Sequence, residues 1–407
     1  MKILLLGQVF YPDVVAVAQY MADLGEGLSV AGHKVTVLCS SRGYDNPAKE
    51  FPRNEEWKGI TIRRVSMWEL GKKSKLRRIL SFSSFFLSSF ALLMLMPAQD
   101  VVVVVPPPPL LSAMAAFFVQ LRGGRLLFWN MDLNPDEAIA AGWMKPDSLS
   151  ARLLDAALRY SLRVSSRIVV LDRFMKDRIV AKNTPENKVC VVPVWSLDRL
   201  IYYDAEGRER FRRQLEVEKK FVVMYSGNHS PLHPLDTVLQ AALRLRDDTR
   251  IAFVFVGGGS DFMRVKAFAM DHDLPNVICA PYQPLERLAG SLSAADLQVV
   301  LLGNPFVGIV HPSKIYNMLA VGAHFLYIGP EESHITDLQK EPGIAEMGRN
   351  ARHGDVDRVV NIIEKLASDY ACGISSRPGR PPVLDRFSQK VLLPSMVKLI
   401  EAMGKSQ

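Results

Sequence analysis

Three short segments in the second half of the chain combine glycine with polar or cationic groups, residue types that can hold a phosphate. Ser226, Gly227, Asn228 and His229 follow an apolar run ending at Tyr225. A glycine there lets the backbone approach an anion closely, and Asn228 and His229 add polar groups; a plain turn would use the same residues. Gly257, Gly258 and Gly259 end a second apolar run, before Ser260. Read as a strand-to-helix turn, they would expose backbone N–H groups at a helix N-terminus, although a merely flexible turn also suits three glycines. The third segment, FVGIVHPSKIY over residues 306–316, is the most specific. Its Ser313, after Pro312, is predicted to cap a helix, which puts Lys314 and then Tyr316 in the first turn. The helix dipole disfavours a cation there unless an anion is bound, so the local conflict argues for a phosphate, against the alternative of a solvated lysine.

These segments need a frame, and the apolar pattern supplies one. Residues 2–7 read as a buried parallel strand, 17–31 as a helix closed by Gly32, and 34–39 as a second strand, together a βαβ unit. Further strands are expected at 101–105, 126–129, 168–171 and 189–192, the first ended by the prolines of 106–109. Charged residues 204–220 read as a crossing between halves. The rhythm then restarts, with strands at 221–225, 251–256, 277–279, 297–301 and 325–328 and helices at 234–245, 285–293 and 313–320. An amphipathic segment at 384–403 is expected to pack back across the junction. Two βα series in 407 residues predict an α/β chain of two doubly wound domains, 1–200 and 201–383, with 384–407 returning to the first.

Composition narrows the partners. With 48% hydrophobic and 23% charged residues the chain is globular, and its net charge of +8 suits nucleic acid, an anionic membrane or a phosphorylated molecule. Cys39, Cys190, Cys279 and Cys372 form no CxxC pair, which argues against zinc and against a disulfide framework. The opening MKILLLGQVFYPD is broken too early for a signal peptide and reads as a first strand. Much of the positive excess lies in Lys72, Lys73, Lys75, Arg77 and Arg78, just before and at the start of the apolar, serine-diluted run 76–96. That pattern predicts a helix lying at an anionic membrane surface rather than spanning it, with an ordinary buried helix as the alternative. No nucleic-acid reader motif accompanies the basic cluster.

From Met1 to about Asp337 the chain resembles the retaining glycosyltransferases of family four, which have the GT-B fold of two Rossmann-like domains facing across a cleft. The resemblance rests on GQVFYPD, AGHKVTVL, YSGN, FVFVGGG, AADLQVVLL and PSKIYNMLAVG in the family's order. WNMDLNPDEAIAAGW is most similar to the branch that makes bacterial exopolysaccharide, including colanic-acid-type enzymes. What this implies is transfer of a sugar from a nucleotide-diphosphate donor, UDP- or GDP-linked, with retention and without a metal or other cofactor. The acceptor implied is lipid-linked or a polysaccharide precursor, and the place is the cytoplasm, at the inner face of the plasma membrane. By resemblance the donor diphosphate sits among Gly227, Gly257, Gly258, Gly259, Ser313 and Lys314, with Tyr282 by the base. Lys314 would neutralise the leaving diphosphate. Tyr11, Asp13, Asp132 and Asp136 would line the acceptor side, with Asp132 near the reacting centre or, equally, capping the next helix.

The chain departs from the family in three places. Ile309 and Asn317 stand where the family commonly has two glutamates; Asn317 can still hydrogen-bond a ribose hydroxyl, but carries no charge. Val14 and Val15 replace the glycine pair of the acceptor loop, and the stretch 230–233 lacks the arginine that often accompanies the lysine. A nucleotide-sugar epimerase of the same fold, or a degenerate homologue that binds without catalysing, are the alternatives these departures leave.

Overall fold

The computed structural model describes all residues except 14, 44–48, 68–74, 107, 198, 375–376 and 406–407, and all side chains except also those of 75–79 and 405. Val14 and the basic residues Lys72 and Lys73 therefore lie outside the described residues, as do the side chains of Lys75, Arg77 and Arg78. The chain divides into two compact units. One comprises Met1–Val194, Gly308–His311 and Lys390–Gln407, the other Trp195–Val307 and Pro312–Gln389.

The first unit opens with β1 (Lys2–Leu6), α1 (Ala16–Val30) and β2 (Lys34–Ser40), then β3 (Asn54–Trp57), β4 (Ile60–Val65) and α2 (Lys75–Leu95). It continues with β5 (Val101–Val104), α3 (Leu111–Arg122), β6 (Arg125–Trp129), α4 (Asp136–Ala140), α5 (Leu149–Val164), β7 (Arg167–Val170), α6 (Arg173–Ala181) and β8 (Val189–Val191). The sheet order is β3-β4-β2-β1-β5-β6-β7-β8, parallel but for the β3–β4 pair. Unbroken apolar runs form β1 and β5 because helices cover both faces of such a sheet, and Ile3 to Leu6 are fully buried. The β3–β4 hairpin has no counterpart in the sequence reading. Its turn, Lys58 and Gly59, has positive φ at both positions (49° and 75°), a hairpin geometry that Lys-Gly does not advertise.

The second unit holds α7 (Ala205–Gln214), β9 (Phe221–Asn228), α8 (Asp236–Arg244), β10 (Ile251–Gly258), α9 (Phe262–Asp271), β11 (Val277–Ala280), α10 (Leu285–Ser293) and β12 (Leu297–Leu301). After these come α11 (Lys314–Ala320), β13 (His324–Ile328), α12 (His334–Leu338), β14 (Gly348–Ala351) and α13 (Val356–Ala371). Its parallel sheet runs β11-β10-β9-β12-β13-β14, so the strand order reverses between β9 and β12. Ligands of open α/β sheets bind outside the carboxyl ends at such a reversal.

Four expectations need correcting. Residues 204–220 are not a bare crossing: they contain α7, which Asp204 caps by accepting a hydrogen bond from the Gly207 amide (2.9 Å). The strand before the triple glycine runs on through Gly258, and α9 starts only at Phe262, so those glycines are a strand end and not a helix N-terminus. Ser313 precedes α11 in right-handed helical geometry, and its side chain caps nothing. The segment 384–403 divides into a 3-10 turn, Pro382–Phe387, and α14 (Gln389–Lys405). Within the first unit α14 reaches the start of the chain, where Glu401 pairs with His33 at 3.0 Å.

All four cysteines are free. Among the described residues no helix is long and apolar enough to cross a membrane.

Candidate active site

At the strand-order reversal of the second unit, Gly227 of β9 stands in register with Gly257 of β10. Both have φ near +135° (134° and 136°), which side-chain-bearing residues rarely adopt. A Cβ on Gly257 would fall 2.1 Å from the Gly227 carbonyl oxygen, and one on Gly258 would press the Tyr282 ring at 3.0 Å. The glycines thus form a bare floor with an exposed tyrosine along one side.

Lys314, at the first turn of α11, supplies the charge. Its Nζ lies 3.9 Å from the centroid of the Tyr225 ring and 3.0 Å from where a Gly227 Cβ would stand. The residue as a whole is half-buried, but this nitrogen is enclosed and has no hydrogen-bond partner among the described residues. Burial lowers its pKa to about 7. Two histidines of the β9–α8 loop stand beside it. His229 Nδ1 faces the carbonyls of Gly227 (3.0 Å) and Gly258 (3.2 Å), so it carries the hydrogen and donates. His233 Nδ1 likewise donates to the Leu301 carbonyl at 2.8 Å. Burial, reinforced by the Lys314 charge, pushes His229 down to about 4 and His233 down to about 3, keeping both neutral. A cation over an aromatic face, flanked by neutral imidazoles on a glycine floor, is an arrangement completed by an anion.

The other expected donor residues are distributed around this core. Asn228 is exposed, and its carbonyl accepts from the Tyr225 hydroxyl at 2.7 Å. A Cβ on Gly259 would meet Asn228 Oδ1 at 2.3 Å, so that glycine too is held to its type. Pro312 is buried, Ser313 and Asn317 are half-buried, and Asn317 follows Lys314 by three residues on the same helix face. Tyr316 is buried with its ring 5.2 Å from that of Phe387, a packing contact within the unit. Tyr225 and His233 were not singled out from the sequence. The pairing of His229 with His233, four residues apart at a strand end, was the signal that could have found the second.

In the first unit, Asp132 follows β6 and its pKa is pushed up to about 7, by burial and then by the charge of Glu137. Burial also raises Glu137, opposed by a hydrogen bond that Asn134 Nδ2 donates to it at 3.0 Å. Asp136 is spoken for: Lys182 pairs with it and with Asp155, each at 2.9 Å, tying α4 to α5 and α6. Tyr11 lies flat on Trp57 of the hairpin (4.4 Å, 17°), and the Asp13 amide donates to the Phe10 carbonyl at 3.0 Å. Val15 precedes α1 without capping it.

The segment Gly308–His311 docks on this unit. The Ile309 carbonyl accepts from the Leu133 amide at 2.9 Å, beside Asp132. Gly308 has φ 70°, and a Cβ there would fall 2.5 Å from the Phe174 carbonyl oxygen. His311 Nδ1 meets Asp172 at 2.8 Å, both side chains buried. The position of the first family glutamate is therefore a buried apolar anchor, Ile309, held through its backbone.

A family model described as glycosyl transferase 4-like domain matches residues 16–195. The chain is 28% identical over 360 residues to the putative colanic acid biosynthesis glycosyl transferase WcaI of Escherichia coli K12, covering 85% of this chain and 88% of that one. The chain is a glycosyltransferase whose residues 16–195 match a glycosyl transferase 4-like domain. A second relative, the probable glycosyltransferase WbjE of Pseudomonas aeruginosa, is 24% identical over 235 residues, 58% of each chain. The fold of this glycosyltransferase is GT-B. It matches Anabaena Alr3699/HepE, solved in complex with UDP, with a TM-score of 0.71 at 13% identity, over 99% of this chain and 100% of that one. Sucrose-phosphate synthase from Thermosynechococcus elongatus matches with a TM-score of 0.75 at 16% identity, each chain covered completely at 100%.

Proposed function

We propose that this glycosyltransferase moves a sugar from a UDP- or GDP-linked donor to a lipid-linked or polysaccharide-precursor acceptor, with retention, in bacterial surface-polysaccharide synthesis. The observation that carries the donor half is the enclosed, unpartnered ammonium of Lys314 at the reversal of the second sheet. A diphosphate on the glycine floor would supply its missing counter-charge. As the bond between the anomeric carbon and the phosphate oxygen breaks, the electron pair stays on the diphosphate, and Lys314 stabilises that growing charge. The acceptor oxygen forms its bond on the face being vacated and its hydroxyl proton passes to the departing phosphate oxygen, which gives retention and needs no protein nucleophile. The reading gives residues 201–383 the donor, with Gly227, Gly257, Gly258, Tyr282 and Asn317 around it, and residues 1–200 the acceptor, with Asp132 near the reacting centre. The name of the Escherichia coli relative, a putative colanic acid biosynthesis glycosyl transferase, supports a polysaccharide product.

Attachment to the inner face of the membrane belongs to the same reading. Leu87 and Leu95 of α2 are 66% and 82% exposed, and Leu121 of α3 is 57% exposed. Phe90 and Phe117 join the two helices with ring centroids 6.1 Å apart, so the apolar face is wider than α2 alone. With the basic residues before α2, it suits an anionic lipid surface that also carries the acceptor.

A thermal-shift screen against uridine, guanosine, adenosine and thymidine diphosphates and their sugars tests the donor. One nucleotide family is expected to stabilise the chain, by about 2.7 kcal/mol at a hundred times its Kd. Lys314→Ala is expected to weaken that nucleotide more than about tenfold with the fold intact, since a charge-assisted contact contributes about 1.5–3 kcal/mol. Unchanged affinity in this variant would remove the donor assignment. Ile309 and Asn317, which provide no carboxylate, favour one competing reading, binding without turnover; a nucleotide that binds but transfers to no acceptor would select it.

A further inference from the structure

The carboxyl ends of β5 and β6 in the first unit enclose a small pocket whose chemistry differs from wall to floor. Pro106, Pro108 and Pro109 after β5, with Leu154 and Leu158 of α5, make its walls apolar. Asn130, Asp132 and Asn134 bring polar groups to it from the end of β6. The free space takes about one water-sized group, so a larger ligand can insert only one substituent.

Asn130 is the informative residue. It is 1% exposed, and its amide nitrogen has only the Met175 sulfur, at 3.2 Å. Its Oδ1 accepts no hydrogen bond among the described residues. A buried amide oxygen without a donor is costly, and neither Ser112 nor Asn134, which also line the pocket, donates to it. Leu110 at the rim adds an independent sign. It lines the pocket, is 40% exposed, and holds φ at 77°, a left-handed geometry strained for a leucine. Such strain persists where a site needs the side chain in place.

The occupant must donate a hydrogen bond to Asn130 and present carbon to the prolines. A phosphate fails, because it would only accept and would face the Asp132 carboxyl. A ring-borne hydroxyl meets both demands. We infer that this pocket is an acceptor subsite, where one sugar hydroxyl donates to Asn130, faces Asp132, and packs its ring C–H face on Pro106, Pro108 and Pro109. The inference rests on the transfer reading above and adds the recognition of the acceptor.

Saturation-transfer NMR on the full chain with uridine diphosphate, using methyl glycosides of glucose, galactose, mannose and fucose as probes, tests it. At least one glycoside should be saturated by the wild type, and Asn130→Leu should cut that signal at least about fivefold. Leu110→Gly relieves the left-handed strain; its Tm should equal or exceed that of the wild type while the glycoside signal still falls. Calorimetry should find uridine diphosphate affinity within about twofold of wild type in both variants, as expected for independent sites that share no partner. Glycoside signals untouched by either substitution, or no signal from a wild type that binds the nucleotide, would overturn the subsite. A wild type that binds a glycoside but no nucleotide would instead sink the transfer reading and leave the pocket standing.

Discussion

An enclosed ammonium facing an aromatic ring regains only part of its lost hydration, and the rest weighs on the folded state. Lys314 is in that position, with its pKa lowered to about 7 from the usual 10.5. The unfolded chain therefore holds the proton more tightly between those values, and stability rises as pH increases from about 7 towards 10.5. Below about 7 both states are charged and the full penalty is present. Lys314→Met should remove this slope and raise the Tm of the ligand-free chain at pH 7, because an apolar side chain replaces an uncompensated charge. Bound nucleotide should flatten the slope in the wild type and have no such effect in the variant. Melting curves across pH, with and without nucleotide, read both outcomes. A wild-type slope that persists in Lys314→Met would locate the titrating group elsewhere. The sequence marked Lys314 through its conflict with a helix start. The structure adds a separate observation, that the enclosed nitrogen has no hydrogen-bond partner among the described residues.

At the scale of elements, α7 shows what charged sequence can conceal. Arg208 and Arg212, one turn apart, converge on Asp296 just before β12, at 2.6 and 3.1 Å, and Asp296 also accepts from the Val222 amide of β9. Composition made 204–220 look like a solvated crossing. Folded, the arginines clamp α7 to the sheet that carries the proposed donor site. Arg212 and Asp296 side chains are almost wholly buried, so Asp296→Ala would leave a buried cation unpaired. A loss of about 3–5 kcal/mol is expected, against little change for the exposed pair of Lys340 with Asp337. Urea denaturation measures the difference, and equal small effects would show the clamp to be energetically idle. The hairpin of β3 and β4 escaped for a different reason: its strand Asn54–Trp57 is polar and its turn lacks the usual asparagine or aspartate.

For the whole molecule, the proposed membrane attachment would divide between charge and apolar surface. The basic residues just before and at the start of α2 would give attraction that salt screens, and the exposed leucines of α2 and α3 a contribution that salt leaves intact. Binding to anionic vesicles should fall with ionic strength to a plateau. Arg77→Glu with Arg78→Glu should remove the salt-sensitive part, at about 1 kcal/mol per charge lost. Leu87→Ser with Leu121→Ser should lower the plateau instead. Vesicle sedimentation at two salt concentrations separates these effects, and charge reversal without consequence would exclude the electrostatic half.

By itself the sequence determined the frame, because buried parallel strands write themselves as unbroken apolar runs such as residues 101–104, and turns as glycine and proline. It also carried the order of glycine, lysine and aspartate segments on which the resemblance to the family rests. Tertiary structure alone decided what those residues experience. Asp132 rises to about 7 through its burial and the charge of Glu137, while Asp136, four residues on, is paired with Lys182 and becomes part of the scaffold. Asp172 and His311 meet across 139 residues of chain. Local spacing records helix and strand periods. It does not record which distant group will desolvate, pair with or leave alone a charge, and in this chain that separates the residues poised for chemistry from those that hold the fold.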